Sequence, residues 1–259
     1  MTHPDTDTLP FVAPCRRLDL RAPLAWLQLG WRDFRNSEGR SAAFGIAMVL
    51  VSWMVSGLAW YFGNLGLLLG MMSGFVLLGP LLAITVYSLS DQLQRGEPPR
   101  FRRSVRAVAA TVGSAAVFMV VLTIVFLVWA RAASMVHVFF PSEGATAARD
   151  LWIFLGVGTS VGAVFAAIVF LASAVSLPML LDKQADAITC VLTSVNAVLR
   201  NKPVMFFWAA LIVAGVLLGT LTLFVGFVVI LPVIGHASWH AYRDCIDASQ
   251  WPPRDRPPA

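Results

Sequence analysis

The sequence predicts an all-α protein: a six-span transmembrane helix bundle with interfacial amphipathic helices and both termini cytoplasmic. Three observations predict it. The 259 residues are 58% hydrophobic and only 13% charged, with a mean hydropathy of +0.75, whereas a soluble domain is roughly half apolar and about a quarter charged. The charge is segregated, with no Asp, Glu, Lys or Arg in 41–90, 107–130, 151–181 or 203–242, and each of these stretches is long enough to cross a bilayer. Basic residues cluster beside the apolar runs, which is how a membrane protein fixes its orientation. This composition excludes a water-soluble globular enzyme, and the net charge of +5 reads as membrane orientation, with no nucleic acid among the partners.

Residues 1–22 read as a disordered basic N-terminal tail, 23–246 as one integral membrane helical domain, and 247–259 as a disordered Pro-rich tail. No cleavable signal peptide is visible, so the first span is expected to act as an uncleaved insertion signal. That span is 42–62, and Gly63-Asn64 turns the chain into the second, 65–90. The third and fourth are 107–130 and 151–181. The last apolar run, 204–242, has 39 residues. As one helix it would be about 58 Å long, about twice the hydrocarbon thickness. It is therefore read as a hairpin turning between Gly219 and Gly226, with spans 204–222 and 225–242. A cytoplasmic N-terminus then places 17 of the 19 Lys and Arg residues inside, leaving only Arg131 and Arg149 outside. All three cysteines, Cys15, Cys190 and Cys245, are cytoplasmic and reduced in this arrangement.

Two connecting segments carry amphipathic periodicity. In 184–200, Ile188, Leu192, Val195 and Leu199 share one helical face, with Asp182 as N-cap and Pro203 as terminator. In 100–108, Phe101, Val105 and Val108 form a stripe beside Arg102, Arg103 and Arg106. Such helices lie at the headgroup boundary, and their basic residues favour anionic lipid. The segment with Leu24, Leu27, Trp31 and Phe34 beside Arg32 and Arg35 is a less regular example.

Small residues form ladders. Gly66, Gly70 and Gly74 lie at i, i+4, i+8 in the second span, Gly158, Gly162 and Ala166 in the fourth, and Gly215 and Gly219 in the fifth. Missing side chains let helix backbones approach closely inside lipid, so these positions are expected to mark helix contacts, within the bundle as the preferred reading or with another protein as the alternative. Pro80, Pro178 and Pro232 each remove a backbone hydrogen bond and are expected to kink their helices. Gly74-Phe75-Val76 before Pro80 is echoed by Gly226-Phe227-Val228 before Pro232, as an internal repeat or as chance similarity of apolar sequence.

His236 and His240 carry the most chemistry. Their i, i+4 spacing could offer two imidazoles to one metal, with Asp244 a further turn along as third ligand. The bland reading is interfacial anchoring, with Trp239, Tyr242 and Arg243 at headgroup level, and it is the one preferred. No stoichiometric cofactor is expected. The spans hold no carboxylate, Lys or Arg, the groups that ion-coupled transporters and pumps carry at mid-membrane. No phosphate loop, nucleophile elbow or catalytic carboxylate pair is present.

Several stretches resemble a family of predicted bacterial integral membrane proteins, domain of unknown function 2189. They are Ser176-Leu177-Pro178-Met179-Leu180-Leu181-Asp182 with the amphipathic segment to Asn201, the run His236 to Asp244, Gly79-Pro80-Leu81, and Arg95-Gly96-Glu97-Pro98. The resemblance covers about 20–245 and implies a multi-pass protein of the bacterial inner membrane, with no activity to transfer. The leading expectation is a non-enzymatic accessory, assembly or lipid-interacting factor. Its partners would be the bilayer, anionic headgroups and a membrane-protein partner or second copy. The alternatives are a transporter or channel for an apolar or neutral solute, resting on the broken spans, and a metal- or haem-binding protein using His236 and His240.

Six spans with both termini inside make a direct prediction. Reporter fusions in 141–148 should read periplasmic, and fusions after 95 and after 256 cytoplasmic. A periplasmic C-terminus would defeat the hairpin reading of 204–242.

Overall fold

Helices form where the apolar runs lie, and the chain's few Gly and Pro breaks set their ends. The computed structural model describes residues 10–62, 82–139 and 148–254. In chain order the helices are α1 (Ala22–Asn36), α2 (Arg40–Phe62), α3 (82–94), α4 (Phe101–Phe139), α5 (Ala148–Ser173), α6 (Ser176–Asp182), α7 (Ala187–Arg200), α8 (Lys202–Leu221) and α9 (Phe227–Cys245). Among the described residues the only β pairing is two isolated bridges, Cys15 with Ile246 and Lys183 with Pro253. These bridges bring the first and last described segments to the same end of the bundle.

Four described helical stretches are long and apolar enough to cross a membrane: Arg40–Leu58, Phe101–Ala132, Gly156–Asp182 and Lys202–Leu221. The six-span count is therefore met only in part. Most of the second expected span, with Gly66, Gly70, Gly74 and Pro80, lies outside the described residues. The sixth, α9, does turn back along α8 through 222–226, as the hairpin reading required. Its second half, from His236 to Cys245, is too polar to count as a membrane span.

The helices that do qualify wear their apolar residues outside. Val117, Val120, Ile124 and Leu127 of α4, Val164 and Ile168 of α5, and Val213, Leu217 and Leu218 of α8 are all exposed. In water this would be unstable, whereas hydrocarbon solvates such faces without cost. Two boundaries differ from expectation. The basic segment 100–108 is the first part of α4 itself, because no helix breaker separates it from the apolar run. The expected fourth span is divided at Ala174-Val175 into α5 and α6, since Pro178 has no amide hydrogen for the Ala174 carbonyl four residues back.

Packing density concentrates at the end where the termini meet. Trp26, Trp208, Trp239, Tyr242, Met179, Leu180 and Cys190 are almost fully buried there, with Trp26 edge-on to Trp208 at 5.7 Å. The axis of this cap is α9. The helices α1 and α2 run along it in succession, joined at Glu38 and Gly39, whose φ of 51° and 80° are left-handed. Both approach α9 through glycine. A β-carbon on Gly45 would stand 2.2 Å from the Val228 carbonyl oxygen, and one on Gly30 would stand 2.6 Å from that of Val233. Val228 is the residue whose carbonyl Pro232 cannot satisfy. The kink expected from Pro232 thus becomes a seat for a neighbouring backbone, within one continuous helix.

The ladder expectation divides. Gly215 and Gly219 do meet α9, at Ile230, Ile234 and Phe227. Gly158 and Gly162 mark no close contact among the described residues, because a β-carbon on either would meet none of them within 4 Å. Gly45→Ala should therefore cost about 1–3 kcal/mol through overpacking and lower accumulation in the membrane. Gly158→Ala should be neutral or gain up to about 1 kcal/mol of helix propensity. Thermal unfolding of the two purified variants tests this, and equal behaviour would count against the Gly45 contact.

Candidate functional site

Polar residues on four helices meet inside the cap. His236 and His240 lie one turn apart on α9, and Ser90 and Gln94 one turn apart on α3. Asp33 comes from the last turns of α1 and Ser41 from the first turn of α2. Ser37 positions Ser41, accepting the Ser41 amide on its hydroxyl at 3.3 Å.

These side chains form one hydrogen-bonded chain. Ser41 Oγ lies 2.7 Å from His236 Nε2, and Ser90 Oγ lies 2.6 Å from His236 Nδ1. Ser90 donates to Asp33 Oδ2 at 2.8 Å, and the same oxygen lies 2.8 Å from His240 Nε2. Gln94 Nε2 reaches His240 Nδ1 at 3.3 Å, and its oxygen accepts the Trp239 indole N–H at 3.0 Å. The proton positions follow from the donors available. Ser90 spends its proton on Asp33, so His236 carries its hydrogen on Nδ1 and accepts from Ser41. Gln94 donates to Nδ1 of His240, so His240 donates from Nε2 to the carboxylate.

A second cluster lies beside the first. Asp182, at the end of α6, accepts the Tyr242 hydroxyl at 2.9 Å and Arg243 at 3.2 Å. Asp91 pairs with Arg95 at 3.2 Å across one helical turn. Burial pushes the Asp91 carboxyl up to about 6, against the pull of Arg95 and with the repulsion of Asp182. A cleft of about 540 Å³ is lined by Asp91, Gln94, Arg95, Asp182 and Arg243. Another of about 340 Å³ is lined by Leu29, Arg32, Asp33, Asn36, Leu93, Gln94 and His240. Gln94 forms part of both walls, so the buried chain of hydrogen bonds ends at an open cleft on each side of that residue.

The sequence-predicted residues fall differently from expectation. His236 is fully buried and His240 nearly so, as are Trp239 and Tyr242. They are packed against α1 and α3, so headgroup anchoring is replaced by a role inside the cap. Asp244 does not converge with the two imidazoles, because its carboxylate accepts the Trp26 indole N–H at 2.9 Å. Among the described residues no group of three or more His, Cys, Asp or Glu side chains is placed to hold a metal ion. Asp186, not Asp182, caps α7, accepting the Thr189 amide at 2.9 Å and its hydroxyl at 2.6 Å. That helix begins at Ala187, which leaves Asp182 too far upstream to cap it. Pro203 starts α8, where a missing N–H costs nothing.

Sequence reading missed Asp33, Ser41, Ser90 and Gln94. A signal existed: Ser88, Ser90, Asp91, Gln92 and Gln94 crowd the end of an apolar run. Nearly all of this stretch is buried, with Gln92 reaching Ser88 and Ser104 and accepting the Arg100 amide at 2.7 Å.

Comparison with known proteins finds a partial similarity to one family. Residues 67–182 match the model of a family described as predicted integral membrane protein, domain of unknown function 2189, the family that the sequence resembles. The match spans α3 to α6, less than half of the chain. The run from His236 to Asp244 lies beyond it. No curated protein and no solved structure matches this chain.

Replacing His236 by Leu should leave the Ser41 and Ser90 hydroxyls without the ring. The expected loss is about 1–3 kcal/mol for each buried group left unsatisfied, read as thermal stability of the purified protein. An unchanged stability would show that the ring does not hold these helices. About one metal per chain, lost on His236→Gln, would instead restore a metal site.

Proposed function

We propose that the protein is a non-catalytic, multi-pass inner-membrane protein whose cap lies at the cytoplasmic face and binds anionic phospholipid headgroups, serving as an accessory or assembly factor for other membrane proteins. The observation that carries this reading is the inversion of α7. Ile188, Leu192 and Leu199 face outward, 65%, 42% and 51% exposed, while Thr189, Thr193 and Ser194 are buried against the cap. A helix in water would place these faces the other way round. The larger aliphatic side chains thus face out, while the buried side mixes Thr189, Thr193 and Ser194 with Cys190, Ala197 and Val198, which suits a helix lying in the headgroup boundary with acyl chains on one side and protein on the other.

Charge at the same level supports an anionic lipid. Arg200 and Lys202 flank the end of α7, and Arg32 and Arg35 line the outer face of α1 beside exposed Trp31 and Leu24. Basic side chains near an anionic surface are each worth about 1 kcal/mol. The pairing of Cys15 with Ile246, near the first and last described residues, supports an even number of crossings between them and fits the 17 basic residues assigned to the cytoplasm. The small-residue face of α5 around Gly158 and Gly162, which no described residue covers closely, supports the accessory part of the reading, since such faces favour helix association in lipid.

Reconstitution separates the possibilities. The protein should be more stable to heat in vesicles containing phosphatidylglycerol than in phosphatidylcholine alone. Changing Arg32, Arg35, Arg200 and Lys202 together to Gln should abolish most of that difference, on the order of 4 kcal/mol of surface attraction at low salt. Equal stability of the wild type in both lipids would sink the headgroup reading.

A further inference from the structure

The cap holds one pair of nucleophilic side chains that the proposed function does not use. Residues 10–18 run along its surface as an extended segment. Cys15 pairs with Ile246, with Arg16 donating to the Cys245 carbonyl at 2.8 Å and Asp247 to that of Pro14 at 2.9 Å. This brings the Cys15 and Cys245 sulfurs to 3.4 Å, although 230 positions separate them in the chain. Asn201 fixes the segment. Its side-chain amide donates to Cys15 Sγ at 3.3 Å and to the Arg16 carbonyl at 3.0 Å, and its oxygen accepts the Leu18 amide at 3.0 Å. Cys245 is fully buried, whereas Cys15 is partly exposed.

We propose that Cys15 and Cys245 are a thiol modification site that reacts with low-molecular-weight disulfides to form an intramolecular disulfide, clamping the N-terminal segment to the end of α9. The geometry assigns the roles. Only Cys15 can be reached from solvent, so its thiolate attacks one sulfur of the small disulfide. A bond forms from Cys15 to that sulfur, and the other half leaves as a thiolate that takes up a proton. The Cys245 thiol, already directed at Cys15 Sγ, then loses its proton and attacks the Cys15 sulfur. The second small thiolate leaves and is protonated. Two protein thiols are oxidised to one disulfide, and one small disulfide is reduced to two thiols.

Electrostatics favour the first step. The hydrogen bond from Cys245, with Arg200 and Asn201 adding to it, holds the Cys15 thiol down to about 7 against the cost of burial. Burial pushes Cys190 up to about 12, which makes it the internal control. Low-pKa, accessible thiols beside a second cysteine are the ones that react with oxidants. Thiols on the cytoplasmic side are kept reduced, so in the orientation proposed above the clamp closes only when the disulfide pool rises.

The test uses the full-length protein in detergent, equilibrated in mixtures of reduced and oxidised glutathione. After acid quenching, free thiols are alkylated under denaturing conditions and peptides are mapped. Oxidised mixtures should give a Cys15–Cys245 linkage, an intact mass lower by two hydrogens, and Cys190 alkylated throughout. Cys190→Ser should keep the linkage, and Cys15→Ser and Cys245→Ser should each lose it. In the native reduced protein, iodoacetamide should modify Cys15 at least about tenfold faster than Cys190 at pH 7, with the rate falling below that pH as the thiolate is protonated. Should a single variant fail to fold, the wild-type peptide map still decides. Stable glutathionylation of Cys15 with Cys245 still free, a linkage involving Cys190, or two free thiols in fully oxidised glutathione would each overturn the proposal.

Discussion

The Asp33 carboxylate is the contact on which the cap depends. A charge inside an apolar surround is tolerated only when hydrogen bonds replace its water. Asp33 Oδ2 accepts from Ser90 and from His240. Each of those donors belongs to a different helix, and each passes its remaining capacity on, Ser90 to His236 and His240 to Gln94. One acid on α1 thereby fixes the rotation of α3 and α9 about their own axes, and through His236 that of α2 as well. Among the described residues no buried side-chain nitrogen or oxygen lacks a partner, so the network is closed rather than half made. Closure matters, because a partly satisfied network is worse than none.

Outside the cap the chain answers to a different solvent. Only 22% of the most apolar window of α2, of α4 and of α8 is buried within the chain. Hydrocarbon does not drive apolar faces together, so these helices need close backbone contact or polar links to stay in register. Gly30 and Gly45 supply the first against α9. Trp53 supplies a link at the far end, donating its indole N–H to the Leu223 carbonyl at 2.8 Å. That contact holds a turn in which Leu223 and Phe224 have φ of 53° and 70°, values that side chains of this kind seldom adopt. The α8–α9 hairpin is thus held by α2 at its turn, through Trp53, and along α9 as far as His236, through Gly45 and Ser41.

How much was legible follows from the same two solvents. Apolar runs are long and charges absent from them, so helices α2, α4, α5 and α8 and the hairpin near Gly219 could be read from hydropathy alone. The apolar stripe of α7 was equally plain, because period and length suffice. What could not be read was which face of a helix meets protein. Gly158 and Gly162 have the spacing of a packed ladder and meet none of the described residues closely, while isolated Gly30 and Gly45 approach the backbone of a neighbouring helix. A contact between helices is a property of pairs, and a single-helix pattern holds only half of it. The histidines failed for a related reason. Their i, i+4 spacing was visible, but Asp33, Ser41 and Ser90 lie between 146 and 207 positions away, and only the fold brings them to the rings.

The inverted α7 and the closed polar chain are two sides of one arrangement. Behind an apolar exterior, the cap encloses both an apolar core, with Trp26, Trp208, Trp239, Met179 and Leu180, and a closed polar network, and that combination suits a place where lipid meets protein. Here it occurs at a single level, the end of the bundle that carries the termini, the basic residues and both clefts. Below that level the helices are apolar and sparsely packed. Among the described residues the polar chemistry the chain can present to another molecule is gathered into one layer, which the proposed function sets at the height of lipid headgroups. Within it, Arg32 and Asp33 share a cleft wall with His240, and Arg200 and Asn201 stand beside Cys15. An anionic headgroup drawn to Arg32 or Arg200 would sit one residue from a buried carboxylate in the first case and from a thiol pair in the second. On the reading proposed above, a bound headgroup would adjoin the polar network along α1 and the thiol pair at the end of α7.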